Sequence, residues 1–306
     1  MLRLIGSRTS CRFVLGCLAL LYATADRARG DDEVTLPIAI RPRLAGQMRL
    51  HTRRRVETVP GSKEFKIEQC ETDWEVSHTA IVIVDMWDGH YCRSAAQRVG
   101  VMAPRMNAVV TAVRSHGVMI IHAPSGTVDM HADTPYRKRM QQIPAATPPA
   151  GVVFNKWCDL DPKHEPPLPI DTSRCSCDDP IVGAAVKQFS RQHPGIDITG
   201  YDGISDNAQE IFNFCEAEGI TNIVVMGVHT NMCILGRPFG IRAMTRLGRS
   251  VVLVRDLTDA MYDPREPPYV SHARGTELVI EHIEKYWCPT ILAEDLISVV
   301  PGSDGP

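Results

Sequence analysis

Apolar residues follow two rhythms along this chain. Continuous apolar runs occupy Ala80–Val84, closed by Asp85, then Gly117–Ala123, Ile196–Ile198, Ile220–Val228, Ser250–Arg255 and Thr290–Leu292. Between them, residues 103–115, 207–218, 237–247 and 276–286 repeat apolar positions at helical spacing. Pro104 suits the first turn of one helix, and Gly219 and Gly248 close two others. Strands that are apolar on both faces need cover on both faces, and alternating amphipathic helices supply it. The pattern predicts a three-layer α/β/α domain over residues 79–300, with a six-stranded, mostly parallel sheet.

Two stretches break the rhythm. Residues 51–78 carry extended patterns at Arg55–Val59 and Phe65–Glu68 around the turn signal Pro60-Gly61-Ser62, predicting a β-hairpin extension. Residues 124–194 are rich in Pro, Asp, Lys and Cys and form an insertion between the second and third runs. A loop that long, leaving one strand and returning to the next, is expected to cover the strand ends, where open α/β sheets bind ligands. Ahead of the hairpin, residues 26–50 read as a poorly ordered leader.

The first 25 residues read as a signal peptide. Arg3, Arg8 and Arg12 precede an apolar core over 13–25, and Ala23-Thr24-Ala25 supplies a small-x-small cleavage site. Export to a periplasmic or extracellular compartment follows, with no membrane partner once the peptide is removed. A formal net charge of −3 leaves no basic excess to neutralise phosphates, which argues against nucleic acid as a partner. Arg53-Arg54-Arg55 reads as a solvated face. Eight of the ten cysteines lie beyond the leader peptide. Cys175-Ser176-Cys177 lacks a second ligand pair at zinc spacing, so these read as loop cysteines or disulfide partners.

Two residues stand where chemistry is expected. Cys233 follows the fourth run in Gly227-Val228-His229-Thr230-Asn231-Met232-Cys233 and opens a helix pattern. A helix start favours thiolate over thiol and leaves backbone N–H groups free for an oxyanion. A packed core cysteine is the competing reading. Asp85 ends the first run, and a carboxylate after five apolar residues requires a partner.

A strand ending in Asp, with a downstream strand-Gly-x-x-Thr-x-x-Cys-helix, resembles the isochorismatase-like cysteine hydrolases, which include nicotinamidases and N-carbamoylsarcosine amidases. The resemblance spans about 79–292 and rests chiefly on Gly227–Ile234; the following Gly236-Arg237-Pro238-Phe239-Gly240 resembles an exported branch. It implies a catalytic Asp, Lys and Cys: Asp85 as base, Cys233 as nucleophile, a covalent intermediate, and a cis peptide before His229 that aims the His229 and Cys233 N–H groups at the oxyanion. The family's lysine position, near Ile198–Ser205, holds no lysine here. Lys156, after the apolar Val152-Val153-Phe154, is the best substitute, with Lys187 and Arg191 as alternatives. Where nicotinamidases often read Asp-x-Gln-x-Asp-Phe, this chain reads Asp85-Met86-Trp87-Asp88-Gly89-His90. Trp87 and His90, with His229 and Thr230, are therefore expected to line a wider, more aromatic pocket.

The family's zinc pattern, Asp-x-His after the second strand, is matched only by Asp129-Met130-His131, so no cofactor is expected and Asp129 and His131 remain weak zinc candidates. The resemblance also implies a small-molecule substrate and self-association into a homo-oligomer. The expected activity is hydrolysis of a C–N bond in a small amide. The competing expectations are a catalytically silent binding protein, favoured by the missing lysine, and thiol redox chemistry. An ether-cleaving isochorismatase proper is disfavoured, because those enzymes lack the cysteine.

Overall fold

The computed structural model describes residues 39–301, apart from 174–175 and 183–185. The expected signal peptide lies outside the described residues. A parallel sheet of six strands forms the centre: β3 (Thr79–Val84), β4 (Met119–Ala123), β5 (Gly203–Ile204), β6 (Asn222–Val228), β7 (Ser250–Asp259) and β8 (Thr290–Ile291). Their order across the sheet is β8-β7-β6-β3-β4-β5. Strand β3 alternates between the two faces. Ala80, Val82 and Val84 pack with Ile211 and Phe214 of α3 (Ala208–Glu218) and Val279 and Ile283 of α6 (His272–Tyr286). Ile81 and Ile83 pack with Met106 and Val110 of α1 (Arg93–Ser115) and Leu296 of α7 (Ala293–Ile297). The sheet is thus covered on both faces, as its doubly apolar strands require.

Local signals set the helix ends. The Asn207 side chain accepts from Gln209 and Glu210 N–H at the start of α3, and Gly219 ends that helix in the left-handed conformation. The Ser271 hydroxyl accepts from Arg274 N–H at the start of α6. Among the described residues, no helix is long and apolar enough to cross a membrane.

Several boundaries differ from expectation. The hairpin is much longer than its alternation suggests, with β1 (Gly46–Glu57) antiparallel to β2 (Phe65–Glu75) and Arg55 opposite Ile67. Strand β1 also pairs antiparallel with β8 and with β9 (Val299–Pro301), so the hairpin extends the central sheet. Residues 46–50 are therefore strand rather than leader, with Met48 and Leu50 fully buried. Arg54 is exposed as expected, but Arg53 and Arg55 are half-buried and both reach buried Glu284. The third strand is Gly203–Ile204, not Ile196–Ile198; Ile196 is buried as a loop residue in the α1-side core. Pro104 lies well inside α1, because the helix begins ten residues earlier than its apolar spacing indicates. The helix expected over 237–247 is shorter, α5 (Ile241–Arg246), and a separate single turn, α4 (Cys233–Gly236), precedes it. Pro238 cannot continue α4, and Gly240 precedes α5.

Among its described residues the insertion contains a 3-10 turn (Val128–His131) and the α-helix α2 (Pro135–Gln142), and is otherwise irregular. Its far end folds back on the strand ends. Trp87 bridges Gln192, Asp88 N–H donates to Arg191 O, and His193 N–H donates to Met86 O.

Candidate active site

The sheet changes direction between β3 and β6. The chain runs β3, β4, β5 toward one edge and then returns to place β6 on the other side of β3. The crevice at such a switch point, beyond the carboxyl ends of the strands, is where this architecture binds ligands. Asp85 directly follows β3, Ser125 follows β4, and Cys233 follows β6.

Asp85 is fully buried and adopts a left-handed backbone (φ 49°), a conformation Asp tolerates better than most residues. Its Oδ1 accepts Ser125 N–H at 2.7 Å, and its Oδ2 accepts Arg237 Nε–H at 3.2 Å, with Arg237 Nη2 also 3.2 Å away. The Cys233 thiol lies close enough to this carboxylate and to Arg237 for the three groups to interact electrostatically. Burial pushes the Asp85 pKa up, against the opposing pull of Arg237, Cys233 and Ser125. Cys233, 6% exposed, is pushed well above the ordinary thiol range by burial and then by the Asp85 charge. Burial works against the Arg237 charge, but Asp85 and Cys233 outweigh it and raise the guanidinium pKa.

This corrects the argument from the helix start. Helix α4 is a single turn, too short for an appreciable dipole, and burial together with the Asp85 charge favours thiol over thiolate. The free N–H groups are nonetheless present. Thr230 N–H donates to Asp259 O, and Met232 and Ile234 N–H donate to His229 O, while those of His229 and Cys233 have no acceptor among the described residues. The Val228–His229 peptide is cis, as the resemblance implied.

The cation beside the pair is Arg237, one turn beyond Cys233. Lys156 is exposed, and no hydrogen bond or ion pair joins it to Asp85 among the described residues; it shares a cleft of about 800 Å³ with Arg237, Trp157 and Phe154. Its apolar lead-in forms loop, not buried strand. Lys187 donates to Gly126 O, and exposed Arg191 pairs loosely with Asp88 at 3.9 Å. Sequence reasoning passed over Arg237 by seeking a lysine. The available signal was its spacing, since i and i+4 share one helix face. Trp157 holds the guanidinium from the other side, its ring 5.5 Å away.

The expected pocket residues gather nearby. Trp87 stacks on Phe189 at 4.3 Å and on His90 at 6.2 Å, and His90 meets His229 edge-on at 5.2 Å. Burial lowers the His229 pKa to about 3, with His90 adding to the effect, and its Nε2 has no hydrogen-bond partner. Thr230 is turned inward, its hydroxyl 2.7 Å from that of Thr258. Asp129 is exposed and His131 half-buried on a 3-10 turn, with no third ligating group closing on them among the described residues.

No protein-family model and no curated protein matches this sequence. Solved structures similar to the fold include a cysteine hydrolase from Pseudomonas syringae pv. phaseolicola 1448A, at 16% identity and TM-score 0.43, covering 72% of this chain and 91% of that one. An isochorismatase from Pseudomonas putida KT2440 aligns at 14% identity and TM-score 0.42, over the same shares of the two chains. N-carbamoylsarcosine amidase from Thermoplasma acidophilum aligns at 12% identity and TM-score 0.38, covering 71% of this chain and 96% of that one.

Proposed function

We propose that this chain is a cysteine hydrolase that cleaves a C–N bond in a small amide through a covalent Cys233 intermediate. The observation that carries this reading is the buried contact of one carboxylate, Asp85, with both a thiol and a guanidinium at the switch point of the sheet. A carboxylate and thiol both raised in pKa share a proton that moves only when attack begins. As Cys233 sulfur closes on the carbonyl carbon, its proton passes to Asp85. The N–H groups of His229 and Cys233 receive the developing oxyanion. Asp85 then hands the proton to the departing amine, and later takes one from the water that releases the acyl group. Arg237 stays charged throughout. It holds Asp85 in line and offsets the negative charge that the pair carries in either proton position. A guanidinium suits this task because its planar fork reaches carboxylate and sulfur together.

Arg237 supplies a cation beside the pair, which supports catalysis over the silent binding protein that the missing lysine favoured. The export inferred from residues 1–25 belongs to the same proposal; N-terminal sequencing of the mature protein, beginning after Ala25, checks it. The catalytic test is a screen of primary and N-substituted amides with mass spectrometry of the quenched protein. The expected result is an acyl adduct on Cys233, with turnover abolished in Cys233→Ala and lowered about 10²–10⁴-fold in Asp85→Asn. Stoichiometric amide binding with neither adduct nor turnover would instead mark a binding protein.

A further inference from the structure

Outside this site, a second sulfur-rich cluster joins the insertion to the start of α1. Cys92 precedes the first turn of α1, and Cys177 comes from the insertion; both are essentially fully buried. Their sulfurs and an Asp179 oxygen all lie within 4.8 Å of one another. That grouping has the composition of a metal site, but its carboxylate and the neighbouring Asp178 are already engaged. Asp179 accepts Arg93 N–H, Ser94 N–H and the Ser94 hydroxyl, at 2.9, 2.9 and 2.7 Å, and so caps α1. Asp178 is held by both Nη groups of Arg98, at 2.8 and 3.2 Å. The Cys92 thiol leans on these carboxylates, 3.4 Å from Asp178 and 3.6 Å from Asp179. The two sulfurs face each other in a small apolar cluster completed by Ala95 and Met261. The backbone on both sides is anchored: Cys92 N–H donates to His90 Nδ1, and Cys177 O accepts from Arg265.

We propose that Cys92 and Cys177 are the partners of an intrachain disulfide that fastens the insertion to α1. The oxidant is a small-molecule disulfide, RSSR. One cysteine thiolate attacks it, forming a mixed disulfide and releasing RS⁻; the second thiolate displaces the other RS⁻. The two cysteine protons end on two RSH, so two electrons pass from the cysteine pair to RSSR. Burial pushes Cys92 up to about 12 and raises Cys177, so the bond forms during folding or on local opening, faster at alkaline pH. The fastened segment leads toward Phe189, which stacks on Trp87 at the active site.

The test uses the full chain, reduced, then held in a glutathione redox buffer at alkaline pH. It is then unfolded, alkylated and digested without reductant for mass spectrometry. The expected product joins the Cys92 and Cys177 peptides, two hydrogens lighter than their sum, and disappears in Cys92→Ser. Serine is itself a good residue to precede a helix, so that variant keeps the fold. The oxidised protein should melt roughly 5–15 °C above the reduced one. Recovery of both residues as alkylated thiols overturns the proposal, as does a bridge to Cys175 or another cysteine. Zinc bound by the reduced protein at one per chain, and lost in Cys92→Ser, assigns the cluster to metal and also overturns it.

Discussion

At the scale of single residues, the question is what keeps Asp85 able to accept a proton. Burial drives its carboxyl toward the neutral form, and Arg237 is the largest force in the other direction. Replacing Arg237 with Met removes that force, so the Asp85 pKa rises further and the carboxylate is lost at higher pH. The acid limb of Cys233 alkylation by iodoacetamide should therefore shift to higher pH in Arg237→Met, with a smaller shift in Arg237→Lys, which keeps charge but not the fork. An unmoved limb would mean that Arg237 does not govern the pair. Asp85 and Cys233 were legible in the sequence because each sits at a strand end in a long apolar run. The cation was not, because it comes from the same short loop as the nucleophile rather than from a strand of its own. Ser125, whose N–H fixes the other Asp85 oxygen, donates through its backbone and leaves no side-chain signal.

At the scale of elements, two glycines set how closely the site's parts approach. Gly227 in β6 has φ +115°, and a Cβ there would lie 2.1 Å from Val84 O on β3. That contact brings the strand bearing the nucleophile against the strand bearing the base. Gly227→Ala should destabilise the fold by roughly 2 kcal/mol or more, since it combines a forbidden backbone region with a backbone clash; chemical denaturation measures this. Gly236 lies flat under Trp157, and a Cβ there would come within 2.2 Å of the indole. Gly236→Ala should push Trp157 off Arg237 and lower turnover at least several-fold while the fold persists. Normal turnover with Trp157 fluorescence unchanged would contradict it. The central strands were readable from their continuous apolar runs. The two-residue β5 was not, because its register depends on pairing with Ile121 and His122 of β4 rather than on its own composition. The break between α4 and α5 was written in Pro238 and Gly240, but helical spacing across them concealed it.

At the scale of the whole molecule, the long insertion stays folded over the sheet because a buried carboxylate pins it. Glu165, 1% exposed, accepts from Trp287 Nε1 at 2.9 Å, bonds His282 Nε2 at 2.7 Å, and lies 2.7 Å from Arg242 Nε, out of line for a hydrogen bond there. Burial opposes its charge, but His282, Arg242 and Trp287 outweigh it and hold its pKa at about 2, against 4.5 ordinarily. The folded protein thus binds this proton later than the unfolded chain does. The resulting stability, roughly 3 kcal/mol, is present in full above the unfolded pKa and is lost as pH falls from about 4.5 toward 2. Glu165→Gln removes that dependence and strands the buried Arg242 charge, which costs about 3–5 kcal/mol when a buried pair loses one partner. Urea denaturation at pH 7 and pH 3 checks both parts. The wild type should lose stability between them, and the variant should begin lower and change less. If the two proteins fall in parallel, the acid sensitivity belongs to other carboxylates, such as Asp202 beside Arg114 and His122, and the insertion is held mainly by its apolar contacts.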